Sequence, residues 1–181
     1  QAMAEEHAYR TMDQLILVVI FGGFCIFSTC SGVRVNGAIQ NTRVLGALAA
    51  GLLGGPMVGM GAAVIGAVHR FLYDPTGFTS LACAMSTLFE GAIGSFVWLI
   101  FKRRERKQTT LSLFLITAFA ECSQMGFILA IARPFSDALA LVKVIAVPMT
   151  LVNSLGMILF FSVFDEVFTS QDLLAANKIR L

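Results

Sequence analysis

Four arginines stand where an apolar chain would be expected to avoid them. Arg34, Arg43, Arg70 and Arg133 lie at the edges of long uncharged stretches. A guanidinium is well suited to gripping a carboxylate, because two parallel N–H donors match its two oxygens. A second set of polar residues recurs within one apolar segment, SLACAMSTLFEGAIGSF, where Cys83, Ser86, Thr87, Glu90 and Gly94 fall at helical spacing on one face. That face offers thiol and hydroxyl donors near its start and a carboxyl one turn deeper. The chemistry these residues support is noncovalent capture of a small organic anion by Arg43 and Arg70, with Cys83 and Ser86 in contact. Asn41, Thr87, Glu90, Glu121, Gln124 and Arg133 form a secondary set of candidates.

Covalent chemistry has no comparable support. The sequence holds no Ser/His/Asp arrangement, phosphate loop or HExxH motif. His69, beside Arg70, points to a different face and reads as an interfacial residue. Cysteines 25, 30, 83 and 122 fall inside apolar segments with no CxxC and no companion histidines. They are expected to be small buried thiols, of which Cys83 alone bears on function. No catalytic residue, metal or cofactor is therefore assigned.

The elements that position these residues are membrane spans. Across 181 residues the hydrophobic fraction is 57% and the charged fraction 13%, with a mean hydropathy of +0.81, which does not suit a water-soluble globule. Residues 14–33 and 144–164 are uncharged and long enough to cross a bilayer, and about 78–101 and 109–132 qualify with one carboxylate each. A net charge of +2 gives no indication of nucleic acid. Gln1 and Ala2 ahead of Met3 read as an expression scar, and the short polar segment 3–13 is no signal peptide.

The run KRRERK at 102–107 belongs in the cytoplasm by the positive-inside tendency. Segment 78–101 then descends to it, 109–132 climbs from it, the last helix descends, and YDPTGFT and RPFSDA lie outside. Between them, RVLGALAAGLLGGPMVGMGAAVIGAVHR (43–70) carries seven glycines and no charge between its terminal arginines. One straight helix would be roughly 39 Å long and would put Arg43 and Arg70 on opposite sides of the membrane. A turn at Gly54, Gly55 and Pro56 instead makes a helical hairpin with both arginines outside, since Pro suits the first residue of a helix and the short first arm need not cross fully. The hairpin gives six helical segments with both termini inside; the straight span gives five. Small residues mark a close-packed face on each arm, Gly46, Ala47, Ala50 and Gly54 on the first and Gly59, Ala62, Ala63 and Gly66 on the second.

External arginines run against the orientation preference, and Asp74 and Asp137 are too few to neutralise them, which leaves room for a ligand anion. For Arg34, snorkelling to lipid headgroups is an equal alternative, and Lys143 is expected to snorkel. Glu90 and Glu121 have three open roles: interhelical pairing, ligand contact or proton coupling. Asn153 lies at mid-membrane below Pro148, which is expected to kink the last helix.

The segments NTRVLGALAAGLLGGPMVGMGAAVIGAVHR, TSLACAMSTLFEGAIG and AECSQMGFILAIARPFSDA resemble the LytS-type membrane receptor domain, the sensor half of bacterial histidine kinases and some diguanylate cyclases. The resemblance spans about residues 12–165. It implies an all-α integral membrane bundle of five to six segments in the bacterial inner membrane, more distantly similar to substrate-capturing subunits of vitamin transporters. One branch of the family is similar to receptors for extracellular pyruvate, whose binding positions fall on Arg43, Arg70, Cys83 and Ser86. Members often begin with an additional helix, and an output domain is expected beyond Leu181.

The expected organisation is a cytoplasmic segment 1–11, a sensor domain 12–164 and a signalling linker 165–181. Phe164, Val167, Phe168 and Leu174 suggest an apolar stripe for homodimerisation of the full-length protein. The expected partners are thus a small organic anion, membrane lipid and a second copy. A substrate-binding subunit or small transporter for an organic anion is the alternative, with Glu90 and Glu121 serving proton coupling.

Overall fold

In a computed structural model, the backbone is described for residues 2–104 and 108–179, and side chains for 11–102 and 108–167. Five α-helices and one two-stranded sheet account for nearly all of it. They are α1 (Ala2–Cys30), β1 (Val33–Val35), β2 (Ala38–Gln40), α2 (Arg43–Tyr73), α3 (Ser80–Arg104), α4 (Thr110–Ile131) and α5 (Phe135–Ile179). Each helix contains a stretch long and apolar enough to cross a membrane, the shortest being the 20 residues Thr11–Cys30. The fold is an all-α integral membrane bundle.

α2 is not straight. Gly55 has φ 74° and ψ −162°, a conformation open in practice to glycine alone, and it breaks the helix just before Pro56. The chain then doubles back, because a Cβ added to Gly59 would lie 2.6 Å from the Cα of Gly51, eight residues away. In a continuous helix those positions stand about 12 Å apart. The helical hairpin expected at Gly54, Gly55 and Pro56 is therefore present, and the straight span is excluded. Trp98 of α3 seats the turn, its ring 3.0 Å from where a Gly55 Cβ would be, and Lys102 Nζ lies 4.4 Å from the ring centroid.

Glycine lets three helical segments meet almost backbone to backbone. A Cβ on Gly51 would come within 2.9 Å of the Gly91 carbonyl oxygen, and one on Gly91 within 2.7 Å of the Gly59 carbonyl oxygen. Lipid supplies no hydrophobic drive between helices, so such contact is what holds them. The first arm is enclosed almost all round, with Val44 and every residue from Gly46 to Leu52 buried. α1 closes against it at Gly46, which faces Cys25 and Phe24. On the far side α4 and α5 form a second pair, tied by a 2.6 Å hydrogen bond from Asn153 Nδ2 to Glu121 Oε1. α4 starts at a capping box, in which Thr109 Oγ1 accepts from the Ser112 N–H at 3.2 Å and Ser112 Oγ accepts from the Thr109 N–H at 2.8 Å.

Several expectations need correction. The first span stops at Cys30 rather than reaching Val33, and the chain enters an antiparallel β-hairpin pairing Val33 with Gln40 and Val35 with Ala38. Asn36 (φ 48°) and Gly37 (φ 78°) form its turn, and Asn-Gly with two positive φ values is the chemistry of a type I′ hairpin. α5 remains one continuous helix through Pro148, which is compatible with the kink expected there. Cys25 and Cys83 are buried as expected, but Cys30 and Cys122 are exposed on the outside of the bundle, where a thiol faces lipid at little cost. α1 runs without a break through residue 11 and α5 through residue 165, and a helical linker from 165 onward is what the sequence leads one to expect. Residue 1 and the side chains of Phe168 and Leu174 lie outside the described residues, as do all side chains of the basic run after Lys102.

Two measurements test this account. Gly59→Val should drive side-chain atoms into Gly51 and Ser95 and lower stability by about 1–3 kcal/mol, read as a fall in melting temperature in detergent. Asn153→Ala should leave a buried Glu121 oxygen without its donor, costing about 1–3 kcal/mol in the same assay, whereas substitution of the exposed Leu159 should cost nothing measurable.

Candidate functional site

The doubled-back α2 sets the depth of each polar group. Because Gly51 faces Gly59, counting outward from the turn brings Arg43 level with about Ala67, and Arg70 about 4.5 Å nearer the end that carries the β-hairpin. Since Lys102 begins the basic run at the opposite end, the charge argument assigns the β-hairpin end to the outside.

α3 receives Arg43 on the face read from its sequence, and Arg70 reaches Thr79, the residue just ahead of that helix. Arg43 Nε donates to Thr87 Oγ1 at 2.6 Å and Nη2 to the Cys83 carbonyl at 3.2 Å. Its Nη1 reaches Thr29 Oγ1 on α1 at 3.5 Å. Arg70 Nη2 donates to Thr79 Oγ1 at 3.4 Å, one turn nearer the outside. Thr79 and Cys83 are joined in turn by the Cys83 N–H bonding the Thr79 carbonyl at 2.9 Å. The two guanidiniums are thus stacked along the bundle axis beside the first turns of α3, with Cys83 between their levels.

Both are fully interior, with Arg43 2% and Arg70 0% exposed, yet their hydrogen bonding differs. Arg43 uses all three of its nitrogens on neutral oxygens. Arg70 Nε and Nη1 have no partner. Among the described residues the one ion pair within 4.0 Å is Arg34 with Asp74, at 3.9 Å on the exterior, so neither buried guanidinium has a carboxylate against it. A buried charge without counter-ion or full hydrogen bonding is among the costliest arrangements in a protein. Arg70 Nε and Nη1 lie on opposite edges of the guanidinium, and each forms a carboxylate-matching fork only together with the Nη2 hydrogen that Thr79 does not take.

The remaining candidates separate into groups. Cys83 (2% exposed) and Ser86 (1% exposed) are buried at this level, but Ser86 Oγ donates to the Cys83 carbonyl of its own helix at 3.0 Å. Thr87 does the same at 2.8 Å, so its hydroxyl donates inward while accepting from Arg43. Asn41 Oδ1 accepts the Arg43 backbone N–H at 3.1 Å and so caps the first arm. Glu90 is buried one turn below Thr87 with neither oxygen hydrogen-bonded, and Glu121 holds Asn153 through one oxygen only. Gln124 is buried one turn further along α4. Arg133 does not join the site: it is exposed, and its Nη1 donates to the adjacent Ala132 carbonyl at 2.9 Å. His69 lies at the periphery with its ring 5.5 Å from that of Tyr73.

Sequence reasoning missed three participants. Thr29 and Thr79 each hold a guanidinium, and Cys25, set aside as packing, is wholly buried with its Sγ 3.9 Å from the Arg43 carbonyl. Cys25, Ser28 and Thr29 repeat at three and four residues, which is the same polar-face signal that picked out α3.

Two cavities are bordered by neither Arg43 nor Arg70. One of about 510 Å3 is an apolar cleft between α3 and α4 bordered by Phe89, Phe96 and Phe119. The other, about 450 Å3, opens where α1, the β-hairpin and α5 meet, bordered by Ser28, Gln40, Thr42 and Pro148. β2 is buried at all three of its residues, and its Ala38 lies in one apolar cluster with Cys83, Met125 and Leu141.

Comparison with known proteins agrees with this architecture. The family model described as 5TMR of 5TMR-LYT matches residues 1–167. The chain is 40% identical over 157 residues to the sensor histidine kinase BtsS of Escherichia coli (strain K12), covering 85% of this chain and 28% of that protein. It is 34% identical over 188 residues to the sensor protein LytS of Bacillus subtilis (strain 168), covering 95% of this chain and 31% of that one. Similarity to the sensor histidine kinase YpdA of Escherichia coli (strain K12) is 30% over 133 residues, 68% of this chain and 24% of the relative. The chain therefore spans under a third of the length of these relatives. No solved structure matches it. With five membrane-crossing helices and this match along nearly the whole described bundle, the chain belongs to the LytS-type family of multi-pass bacterial inner-membrane sensor domains.

Proposed function

We propose that this sensor domain binds a small extracellular carboxylate, of the size and charge of pyruvate, between Arg43 and Arg70. The observation that carries the reading is Arg70: wholly buried, with Nε and Nη1 unpartnered and no carboxylate within 4.0 Å among the described residues. Buried polar atoms are nearly always satisfied, and the exceptions mark strain, function or an absent ion. A carboxylate accepting from one of these free nitrogens together with Nη2 would lie on the Arg43 side at the level of Cys83. The thiol of Cys83 and the hydroxyl of Ser86, rotated from its own helix, would then complete its contacts. Asn41 and Thr87 act indirectly, by fixing the first arm and the Arg43 side chain.

Ligand charge between two guanidiniums relieves their mutual repulsion and favours the arrangement that draws α2 and α3 together. A ligand shifts a conformational equilibrium only by its differential affinity for the two states, and this one binds best where both arginines converge. The signal then passes along α5 into the linker from 165 onward. In the longer protein, as in the relatives named sensor histidine kinases, we assign the output to a kinase working as a homodimer through that linker.

Melting of the purified domain in detergent against a panel of small acids, pyruvate first, tests the reading. At 100 times Kd the ligand should add about 2.7 kcal/mol of stability, seen as a higher melting temperature. Arg43→Ala should abolish that rise. Arg70→Met, which removes an unpaired buried charge, should also abolish it while melting no lower than the unliganded parent. An Arg70→Met variant that still responds to the acid would overturn the site.

A further inference from the structure

The apolar cleft between α3 and α4, about 510 Å3 in volume, has a floor, a rim and two unlike ends. Its floor is Ile93 and Val97 of α3 and Ile116 of α4, which rest on the main apolar core. Its rim is Phe96, Leu115 and Phe119, all exposed on the outside of the bundle. Toward the outer side of the membrane it ends where Phe89 meets Phe127 edge to face, with ring centroids 5.6 Å apart. From Val97 to Phe89 the α3 wall covers about 12 Å, less than half of a hydrocarbon core ~30 Å thick. The cleft thus belongs to the leaflet on the Lys102 side, and its length suits one acyl chain.

The inner end is where charge gathers. α3 continues to Arg104, and Arg103 and Arg104 follow Phe96 and Val97 by seven residues, which returns each position to the cleft face of the helix two turns on. α4 starts at Thr110 on the same side, and a helix N-terminus adds positive potential there. The whole run KRRERK holds five cations against one carboxylate. A second protein helix suits the cleft less well. Helices in lipid pack through small residues, whereas this rim is two phenylalanines and a leucine, with Ala92 the sole small residue among the described lining.

We propose that the cleft is a binding site for an anionic phospholipid of the inner leaflet, with one acyl chain against Ile93, Val97 and Ile116 and the phosphate at the level of Arg103 and Arg104. Basic clusters at the cytoplasmic end of a span attract anionic headgroups, and that attraction fades within a Debye length. The cleft adds what a surface cluster lacks, a fixed seat for the chain. The lipid lies between two parts that are each held together by other contacts: α3 against the glycines of α2, and α4 tied to α5 through Glu121 and Asn153. Its occupancy therefore sets how closely those parts approach on the inner side. The proposal stands independently of the carboxylate reading.

Two measurements decide it. The first is melting of the purified, delipidated domain in detergent with phosphatidylglycerol or phosphatidylcholine of identical acyl chains. Phosphatidylglycerol should raise the melting temperature by about 3 °C or more, most of it lost at high salt, and phosphatidylcholine by less than half as much. Replacing both Arg103→Gln and Arg104→Gln should shrink the difference between the two lipids. Equal rises in the parent, or a difference undiminished in the double variant, would overturn the proposal. The second measurement locates the chain. Phe96→Trp on the rim and Leu159→Trp on the exposed face of α5 are compared in phosphatidylcholine bilayers holding a small fraction of phosphatidylglycerol brominated on its chains, with Trp98, the one native tryptophan, common to both. Bromine quenches an indole it touches, so Phe96→Trp should report a local enrichment of the brominated lipid of about fivefold or more, the gain that one basic contact supplies. Leu159→Trp should follow the bulk lipid ratio, and equal quenching at the two positions would refute the site.

Discussion

Two guanidiniums are held out of water with no carboxylate within 4.0 Å of either among the described residues, and the rest of the fold is arranged around that cost. Arg43 is made bearable by donation to two hydroxyls and a carbonyl drawn from α1 and α3. Arg70 is left two donors short. A bundle selected for stability alone would replace Arg70 by an apolar residue of similar volume, since an unpaired buried charge gives nothing back. On the reading proposed above, the ligand-free domain is not at its own energetic optimum, and an anion bound at Arg70 offsets that deficit.

Meeting that requirement depends on backbone proximity. The arginines are 27 positions apart in sequence and share a site only because Gly55 adopts a positive φ and because Gly51, Gly59 and Gly91 let backbones touch. Each of these glycines is a weak helix former, and in water the run would lose about 1 kcal/mol per glycine relative to alanine. In a membrane, where every backbone group must bond internally, the helical state is enforced and small residues contribute through close contact instead. The same residues thus supply both the bend and the adhesion between arms.

Much of this was legible in the residues. Proline after two glycines in an uncharged run marked the turn, and the three- and four-residue spacing on α3 identified the face that receives Arg43. Other parts were not read because their signal was weaker or pointed elsewhere. The β-hairpin at Val33–Gln40 was signalled by Asn36-Gly37, but six strand residues beside a strongly apolar helix are easily absorbed into its span. Thr29 and Thr79 are short hydroxyl residues of the kind that usually bond their own helix, and Thr29 also does so, to the Cys25 carbonyl at 3.0 Å; nothing in their spacing says which arginine lies across from them. Arg133 was unreadable for a different reason: four external arginines look alike in sequence, and only tertiary placement separates the two interior ones from Arg133, which bonds its neighbour's carbonyl, and Arg34, which meets Asp74.

β2 fills the space above the first arm, which begins well below the outer end of α3, and its Ala38 shares an apolar cluster with Cys83. On the proposed reading, a solute passing that way between the exterior and the guanidiniums would first have to dislodge this strand. Affinity would then be set by the arginines and their hydrogen-bonding neighbours, and the pace of exchange by the grip of Ala38, Ile39 and Gln40. On the proposed reading, such a domain would hold a weakly bound anion for longer than its dissociation constant implies, so that brief dips in supply would be averaged before they reach the inner face of the membrane.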